Sequence, residues 1–392
     1  MSAPPPRGPG GEVTVIVPMP PSYRGGTEEY AYQLVRSYSA SRPVQVLTTN
    51  VRWNGGSDAL AIGTARLDLL DAREVFQRPV VVGTAARAHL RQAIERSSVV
   101  QLHMPFPWVE RQVTHWARRA GVPTVLTYHM DAQFGGGAGW SSRVVTGAYQ
   151  WTSATAALDA CSAVVSNSLG YARASPLLSR FMGKVRVIYQ GIDLDRLRAN
   201  GGGTGIVPPR TDGVGRVVFV GRLVGYKGLD DLLAAMQRVV AGGRRVELLI
   251  GGKGPELDRL RALSTHLGLD GSVRFLGFVP DGAVGPLYAG ADVVVCPSVS
   301  LLESTPITLQ EAMAFGTPVL GTTLPGTEET VPDDGVHGRL VAPRDPNALA
   351  AALIELLDHG QRSDRPFVRG WDATARDYLA LFDELTAGGR AG

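Results

Sequence analysis

Cysteine is nearly absent from this sequence, with Cys161 and Cys296 the only two in 392 residues. Both lie in apolar, strand-like surroundings. They read as small core residues in a reducing compartment, which argues against a disulfide framework or a cysteine metal site. Long hydrophobic runs are missing too, and no stretch approaches the length needed to span a bilayer. The first eleven residues, MSAPPPRGPGG, hold no hydrophobic segment and read as a flexible leader, so the expected location is cytoplasmic. Nor is there an excess of one charge: the net value is only +3, which gives no case for a nucleic-acid partner. Arg111, Arg118 and Arg119 do cluster, which permits peripheral contact with the inner membrane face. With 44% hydrophobic and 19% charged residues the composition is that of an ordinary globular protein, and its length implies two domains.

The first half alternates strand and helix patterns. Strands are expected at Val13 to Val17, Val44 to Leu47, Val99 to Leu102, Val122 to Leu126, Ala163 to Ser166 and Val185 to Ile188. Such alternation implies a parallel sheet with helices on both faces. Residues 198–215, RANGGGTGIVPPRTDGVG, break every periodicity and read as a linker. A second series follows, with strands expected at Arg216 to Val220, Val246 to Ile250, Val273 to Leu276, Val293 to Cys296, Pro318 to Leu320 and Gly338 to Val341. The expected divisions are a tail at 1–11, an N-terminal domain at 12–197, the linker, a C-terminal domain at 216–365 and a terminal helix at 366–392. Ligands of doubly wound sheets gather at strand carboxyl ends, here along an expected interdomain cleft.

The most informative stretch is DVVVCPSVSLLESTPITLQEAMAFGTP, residues 292–318. An apolar strand ends at Pro297-Ser298. Ser304-Thr305 supplies an N-cap, a helix starts near Pro306, and Gly316 is a left-handed C-cap candidate. Glu303 then precedes the helix and Glu311 lies inside it, while the free N–H groups of Ile307 and Thr308 suit a phosphate. Acids beside an anion site need neutral partners, and sugar diols are such partners: Glu311 suits a ribose and Glu303 a hexose.

This stretch resembles the E-x7-E motif of retaining glycosyltransferases of family four, which adopt the GT-B fold, and other segments extend the likeness over almost the whole chain. GRLVGYKG after the first strand of the second half matches the pattern GRL-x3-KG, in which Gly221, Arg222 and Lys227 face the donor diphosphate. Two cations there neutralise charge on a leaving nucleotide. GGKGPEL places backbone near Gly251, Gly252 and Gly254 at the nucleotide, and GFV places Phe278 and Val279 beside the base. In PMPPSYRGGTEEYA, Gly25 and Gly26 match a loop that contacts donor phosphate or acceptor. His129, in TYHMDAQ, matches a histidine that bonds the donor sugar near its sixth carbon, and Thr305 joins the donor set. His103 and Asp131 are held as acceptor-side residues. The final segment, GWDATARDYLALFDEL, resembles the crossover helix with which GT-B chains return to the first domain.

The resemblance implies two Rossmann-like domains facing across a cleft, and a retaining transfer of a mannose- or glucose-type hexose from a UDP- or GDP-sugar. The acceptor is a hydroxyl on a glycan, lipid or small molecule, and no cofactor or catalytic metal is implied. Asp193-Leu194-Asp195 mimics a metal-binding D-x-D but reads as a helix-starting turn. Pro306 departs from the family pattern and removes one N–H donor. A nucleotide-sugar epimerase and a non-catalytic nucleotide-sugar sensor are the rival readings.

Overall fold

Residues 10–22, 25–51, 62–75, 78–132, 140–199, 205–364 and 369–388 are described by the computed structural model, and they form two units. The first unit runs β1 (Val13–Ile16), α1 (Gly26–Ser39), β2 (Val44–Thr49), β3 (Arg66–Leu70), β4 (Ala72–Val75), β5 (Arg78–Val81), α2 (Thr84–Arg96) and β6 (Val99–Met104). It continues with α3 (Val109–Ala120), β7 (Thr124–Tyr128), α4 (Trp140–Tyr149), α5 (Thr155–Ala160), β8 (Ala163–Ser166), α6 (Leu169–Ala174) and β9 (Val185–Val187). Its seven-stranded sheet has the order β3-β2-β1-β6-β7-β8-β9, parallel throughout, and β4 pairs with β5 as a hairpin. The strand order reverses between β1 and β6, which makes their carboxyl ends the switch point.

The second unit runs α7 (Leu194–Arg198), β10 (Gly215–Val220), α8 (Leu229–Ala241), β11 (Val246–Gly251), α9 (Leu257–His266), β12 (Val273–Gly277) and α10 (Asp281–Ala289). It ends with β13 (Val293–Cys296), α11 (Ile307–Ala314), β14 (Val319–Thr322), α12 (Pro325–Glu328), β15 (Gly338–Val341) and α13 (Pro346–His359). Six parallel strands follow the order β12-β11-β10-β13-β14-β15, with the switch point between β10 and β13. Helices cover both faces: Leu232, Leu233, Met236 and Leu353 pack on one side of the sheet, and Leu287, Tyr288, Leu309 and Ala312 on the other. The strands are near-continuous apolar runs because both faces are buried.

The last helix, α14 (Trp371–Gly388), belongs to the first unit. Tyr30 of α1 meets Trp371 edge-on at 5.1 Å, and its hydroxyl lies 3.1 Å from that of Tyr378.

The divisions differ from those expected at 198–215 and 365/366. Contacts split the chain at Gly191/Ile192 and at Gly370/Trp371. α7, expected at the end of the first domain, packs on α10 in the second. A Cβ on Gly285 would lie 1.9 Å from the Leu197 carbonyl oxygen, so glycine is what permits that approach. The Ile192 N–H donates to the Arg369 carbonyl at 2.8 Å, which joins the two ends of this unit. Of the expected linker, residues 200–204 lie outside the described residues. The rest is fastened to the second unit by the bidentate Arg210–Asp292 pair and by the Pro209 carbonyl, which accepts from buried Arg216. Glycine and proline mark an irregular path there, and the domain change lies elsewhere.

Strands β8, β13 and β15 fall at the expected residues. β7 starts two residues late because the Val122 N–H closes α3 on Ala117 and Pro123 follows. β3 had no sequence signal, since it is an edge strand with charges at Arg66 and Asp68. Among the described residues, no helix is long and apolar enough to cross a membrane.

Candidate active site

In the second unit the candidate residues collect at the β10/β13 switch point. The loop after β10 lies backbone on backbone against the loop after β11. The Gly221 N–H donates to the Gly251 carbonyl at 2.9 Å and the Leu223 N–H to the Lys253 carbonyl at 3.0 Å. Gly252 has φ +144°, and a Cβ on it would stand 1.8 Å from the Gly221 carbonyl oxygen; one on Gly254 would stand 2.1 Å from that of Leu223. These glycines therefore join two loops. The N–H groups of Gly221 and Gly252 are spent on protein carbonyls, the latter on Gly277 at 2.6 Å, so they cannot serve a phosphate. Further along the same edge of this sheet, Phe278 is 48% exposed with the Lys253 ammonium 5.7 Å from its ring, while Val279 is buried.

Arg222 projects from this junction, exposed, and its guanidinium has no hydrogen-bond or ion-pair partner among the described residues. Lys227 does the opposite. Gly228, at φ +67°, lets its turn close on the Pro297 carbonyl, 2.0 Å from where a Cβ would sit, and this brings Lys227 to the end of β13. There the Lys227 ammonium forms an ion pair with Glu303 Oε2, which also accepts from Ser298 Oγ at 2.8 Å. Burial works against the ammonium, but Glu303, with Cys296 and Tyr226 beside it, outweighs burial and holds the lysine above its ordinary range. Cys296 Sγ, 3.8 Å from the same oxygen, is pushed up to about 11 by burial and by Glu303. The sequence assigns Lys227 to the diphosphate and Glu303 to the hexose without foreseeing their contact, and it reads Ser298 only as the end of a strand.

Helix α11 has Pro306 at its N-cap and no side-chain cap, which corrects the expected capping by Ser304-Thr305. Instead Thr305 Oγ1 is buried with no partner. Leu309 and Gln310 donate to the Pro306 carbonyl, and no protein acceptor among the described residues takes the Ile307 or Thr308 N–H. The helix ends in a Schellman motif: Gly316, at φ +71°, donates to Met313, and Thr317 donates to Ala312. Glu311 is buried on the helix, where Tyr288 donates to it at 3.1 Å and Arg196 approaches at 4.0 Å. Neither partner carries a local sequence signal, because both come from helices distant in the chain. Asp193 accepts from the Arg196 N–H at 2.9 Å, so it caps α7 as read from the sequence.

In the first unit Gly25 is the N-cap of α1 and Gly26 its first residue, one position earlier than expected. A Cβ on Gly26 would meet nothing within 4 Å, so packing does not demand glycine there. His103 on β6 and His129 after β7 are both buried and stacked, with His103 Nδ1 2.9 Å from His129 Nε2. Burial pushes His129 down to about 3, and burial together with His129 holds His103 well below its ordinary value, so both are neutral near pH 7. Tyr30 stands edge-on to His129 at 5.0 Å, and His103 Nε2 is buried without a partner. The acceptor-side role expected of Asp131 does not fit its surroundings. Its carboxylate accepts from Tyr128 at 2.7 Å, Ser175 at 2.9 Å and Tyr171 at 3.0 Å, which ties the end of β7 to α6 and leaves little capacity for a ligand.

With this geometry in view, the chain is similar to known proteins over both units. Residues 24–196 match the family model Glycosyltransferase Family 4, and residues 209–367 match Glycosyl transferases group 1. The D-rhamnosyltransferase WbpZ of Pseudomonas aeruginosa is 28% identical over 91% of this chain and 88% of its own length. A phosphatidyl-myo-inositol mannosyltransferase of Mycolicibacterium smegmatis is 35% identical over 46% of this chain and 49% of its own. The chain spans only about half the length of several curated relatives that it matches. Among solved structures, HepE of Anabaena in complex with UDP and glucose has a TM-score of 0.65 at 18% identity, over 97% of this chain and 99% of that one. The fold is therefore GT-B. The two domain models and the relatives support a glycosyltransferase of the family 4 type.

Proposed function

We propose that this protein transfers a hexosyl group from a nucleotide-diphosphate sugar to an acceptor hydroxyl, with retention at the anomeric carbon and without a catalytic metal. One observation carries the reading: an unpaired, exposed Arg222 beside a buried Lys227–Glu303 pair at the β10/β13 switch point, next to the uncapped start of α11. An exposed cation, a second cation held ready by an acid, and two free N–H groups together suit a diphosphate flanked by hydroxyl-rich sugars.

In this reading Arg222 and the Ile307 and Thr308 N–H groups hold the diphosphate, and Lys227 leaves Glu303 to meet charge growing on the leaving oxygen. Glu303 then turns to hexose hydroxyls, with Thr305 Oγ1 as a further hydrogen-bonding group beside them. Glu311 takes the ribose diol. The bond from C1 to the diphosphate oxygen breaks and its electron pair stays with the diphosphate. The acceptor oxygen bonds C1 on the same face, and its proton passes to the diphosphate, so no protein base is needed. Neutral His129 suits a hydrogen bond to the sugar, with His103 fixing its ring. Asp193, spent as a helix cap, supports the metal-free reading. The names of the relatives favour a mannosyl- or rhamnosyl-type group and the HepE complex a UDP-sugar, so both UDP- and GDP-sugars are to be tried.

The test is a panel of UDP- and GDP-hexoses screened by thermal shift, where a ligand at a hundred times its dissociation constant adds roughly 2.7 kcal/mol. Product analysis with glycan, lipid and small hydroxyl acceptors follows. Arg222→Ala is expected to lower turnover roughly 100-fold while weakening donor affinity far less, as for removal of a group that meets charge in the transition state. Unchanged turnover would overturn the assignment. Interconversion of sugars without acceptor would favour an epimerase, and binding without turnover a sensor.

A further inference from the structure

His103 on β6 and His129 just after β7 come from neighbouring parallel strands. Their rings lie within 19° of parallel with centroids 5.2 Å apart, the separation that two imidazoles span when joined nitrogen to nitrogen. The 2.9 Å contact of His103 Nδ1 with His129 Nε2 therefore runs along both ring planes, where an N–H or a lone pair points. Burial disfavours the imidazolium, so both rings are neutral near pH 7. A neutral imidazole has one N–H and one lone pair. Two lone pairs repel at this distance and two N–H groups clash, so one ring donates and the other accepts.

Which ring donates follows from the surroundings of the far nitrogen of His103. That residue is 0% exposed, and its Nε2 has no partner among the described residues. Gln101, two residues earlier on the same face of β6, spends its amide nitrogen on Thr127 at 3.0 Å, and its oxygen does not reach the imidazole. A proton on His103 Nε2 would thus be a buried donor without an acceptor, a rarer state than a buried lone pair left open. We infer that His103 donates from Nδ1 to His129 Nε2 and so locks His129 in its Nδ1–H form, which offers a hydrogen-bond donor, and no acceptor, to an oxygen of the transferred hexose. A free neutral imidazole favours the other form, so the neighbours of His129 must impose this one. Tyr30 keeps the ring from turning away: it stands edge-on to His129, and α14 holds it through Trp371 on its ring and Tyr378 on its hydroxyl. His103 is thereby a positioning residue that acts through His129, where the sequence suggested an acceptor-side contact. Only the contact with the hexose rests on the transferase reading, and the tautomer stands without it.

The test is long-range proton–nitrogen NMR of the ¹⁵N-labelled full chain at pH 7, in which each neutral tautomer gives its own pair of ring-nitrogen shifts. His89, His115, His266, His337 and His359 lie at or near the surface, so single substitutions there identify their signals and leave the buried pair by elimination. Both buried histidines are expected in the Nδ1–H form. In the reverse arrangement both would carry the proton on Nε2, and that spectrum would overturn the inference. His103→Phe should release His129 to its Nε2–H form and lower kcat/KM for the nucleotide sugar roughly tenfold. His103→Asn, whose amide keeps an N–H near the place of Nδ1, should restore much of the Nδ1–H signature and of the activity. A His103→Phe variant that leaves the His129 tautomer and kcat/KM as in wild type would remove the positioning role; one that does not fold, by its thermal midpoint, leaves the decision to the wild-type spectrum. Transfer by a chain with both rings in the Nε2–H form would sink the tautomer and spare the transferase reading. The Nδ1–H form in a chain that accepts no nucleotide sugar would uphold the tautomer and sink its contact with a hexose.

Discussion

Lys227 and Glu303 show how much a single buried pair controls. Each is about nine-tenths buried, so removing one leaves the other uncompensated, at a cost of about 3 kcal/mol. Lys227→Met and Glu303→Gln are each expected to lower stability, and the double variant to lose less than the sum. A double-mutant cycle from urea unfolding should give a coupling of about 2 kcal/mol. A coupling near zero would mean that the pair does not hold the loop after β10 to the end of β13. The residue identities were visible in the chain, but their contact was not. Lys227 and Glu303 lie 76 positions apart, and only the parallel pairing of β10 with β13 brings their loops together. Asp131 went the other way. Its place after a strand suggested a ligand, whereas Tyr171 and Ser175, from the segment after β8, claim its oxygens.

The junction of α3 with α4 carries a titration that can be measured. Burial pushes Glu110 up to about 8, from an ordinary 4.5. The folded chain therefore holds a proton that the unfolded chain releases, and stability declines as pH rises from about 4.5 through about 8. The slope reaches at most roughly 1.4 kcal/mol per pH unit. His129, pushed down to about 3, acts in the opposite sense: its contribution is full above the unfolded value of 6.5 and is lost as pH falls towards 3. Glu110→Gln removes only the first effect. Stability of this variant relative to wild type, from urea midpoints at a series of pH values, is expected to rise steadily between pH 5 and 8. A pH-independent difference would show that Glu110 is already ionised in the folded state.

At the scale of the whole molecule the prediction concerns stereochemistry. Arg222, Lys227 and the start of α11 offer charge compensation for a departing diphosphate, and Asp131, the acid after β7, is occupied, so same-face attack is the expected course. An α-linked nucleotide sugar should give an α-glycoside in proton NMR of early product, and activity should survive EDTA. Inversion would require a protein base on the opposite face. A strict, restorable Mg²⁺ or Mn²⁺ requirement would return Asp193 and Asp195 to consideration.

By itself the sequence determined the two parallel sheets, since alternating apolar runs and helical periodicities are local signals that both faces of a buried strand impose. It determined α11 with its Gly316 stop for the same reason, as caps act within a few residues. It also offered Arg222, Lys227, Glu303 and Glu311 as candidates, through local pattern and the family resemblance together. Only the tertiary structure decided the rest: that α7 joins the second unit, that Tyr288 and Arg196 hold Glu311, that Gly252 and Gly254 join loops, and that His103 and His129 share a hydrogen bond. Each of these depends on groups brought together from distant positions. Their distances follow from strand order and helix packing, and one chain's local pattern of apolar and polar residues does not encode them.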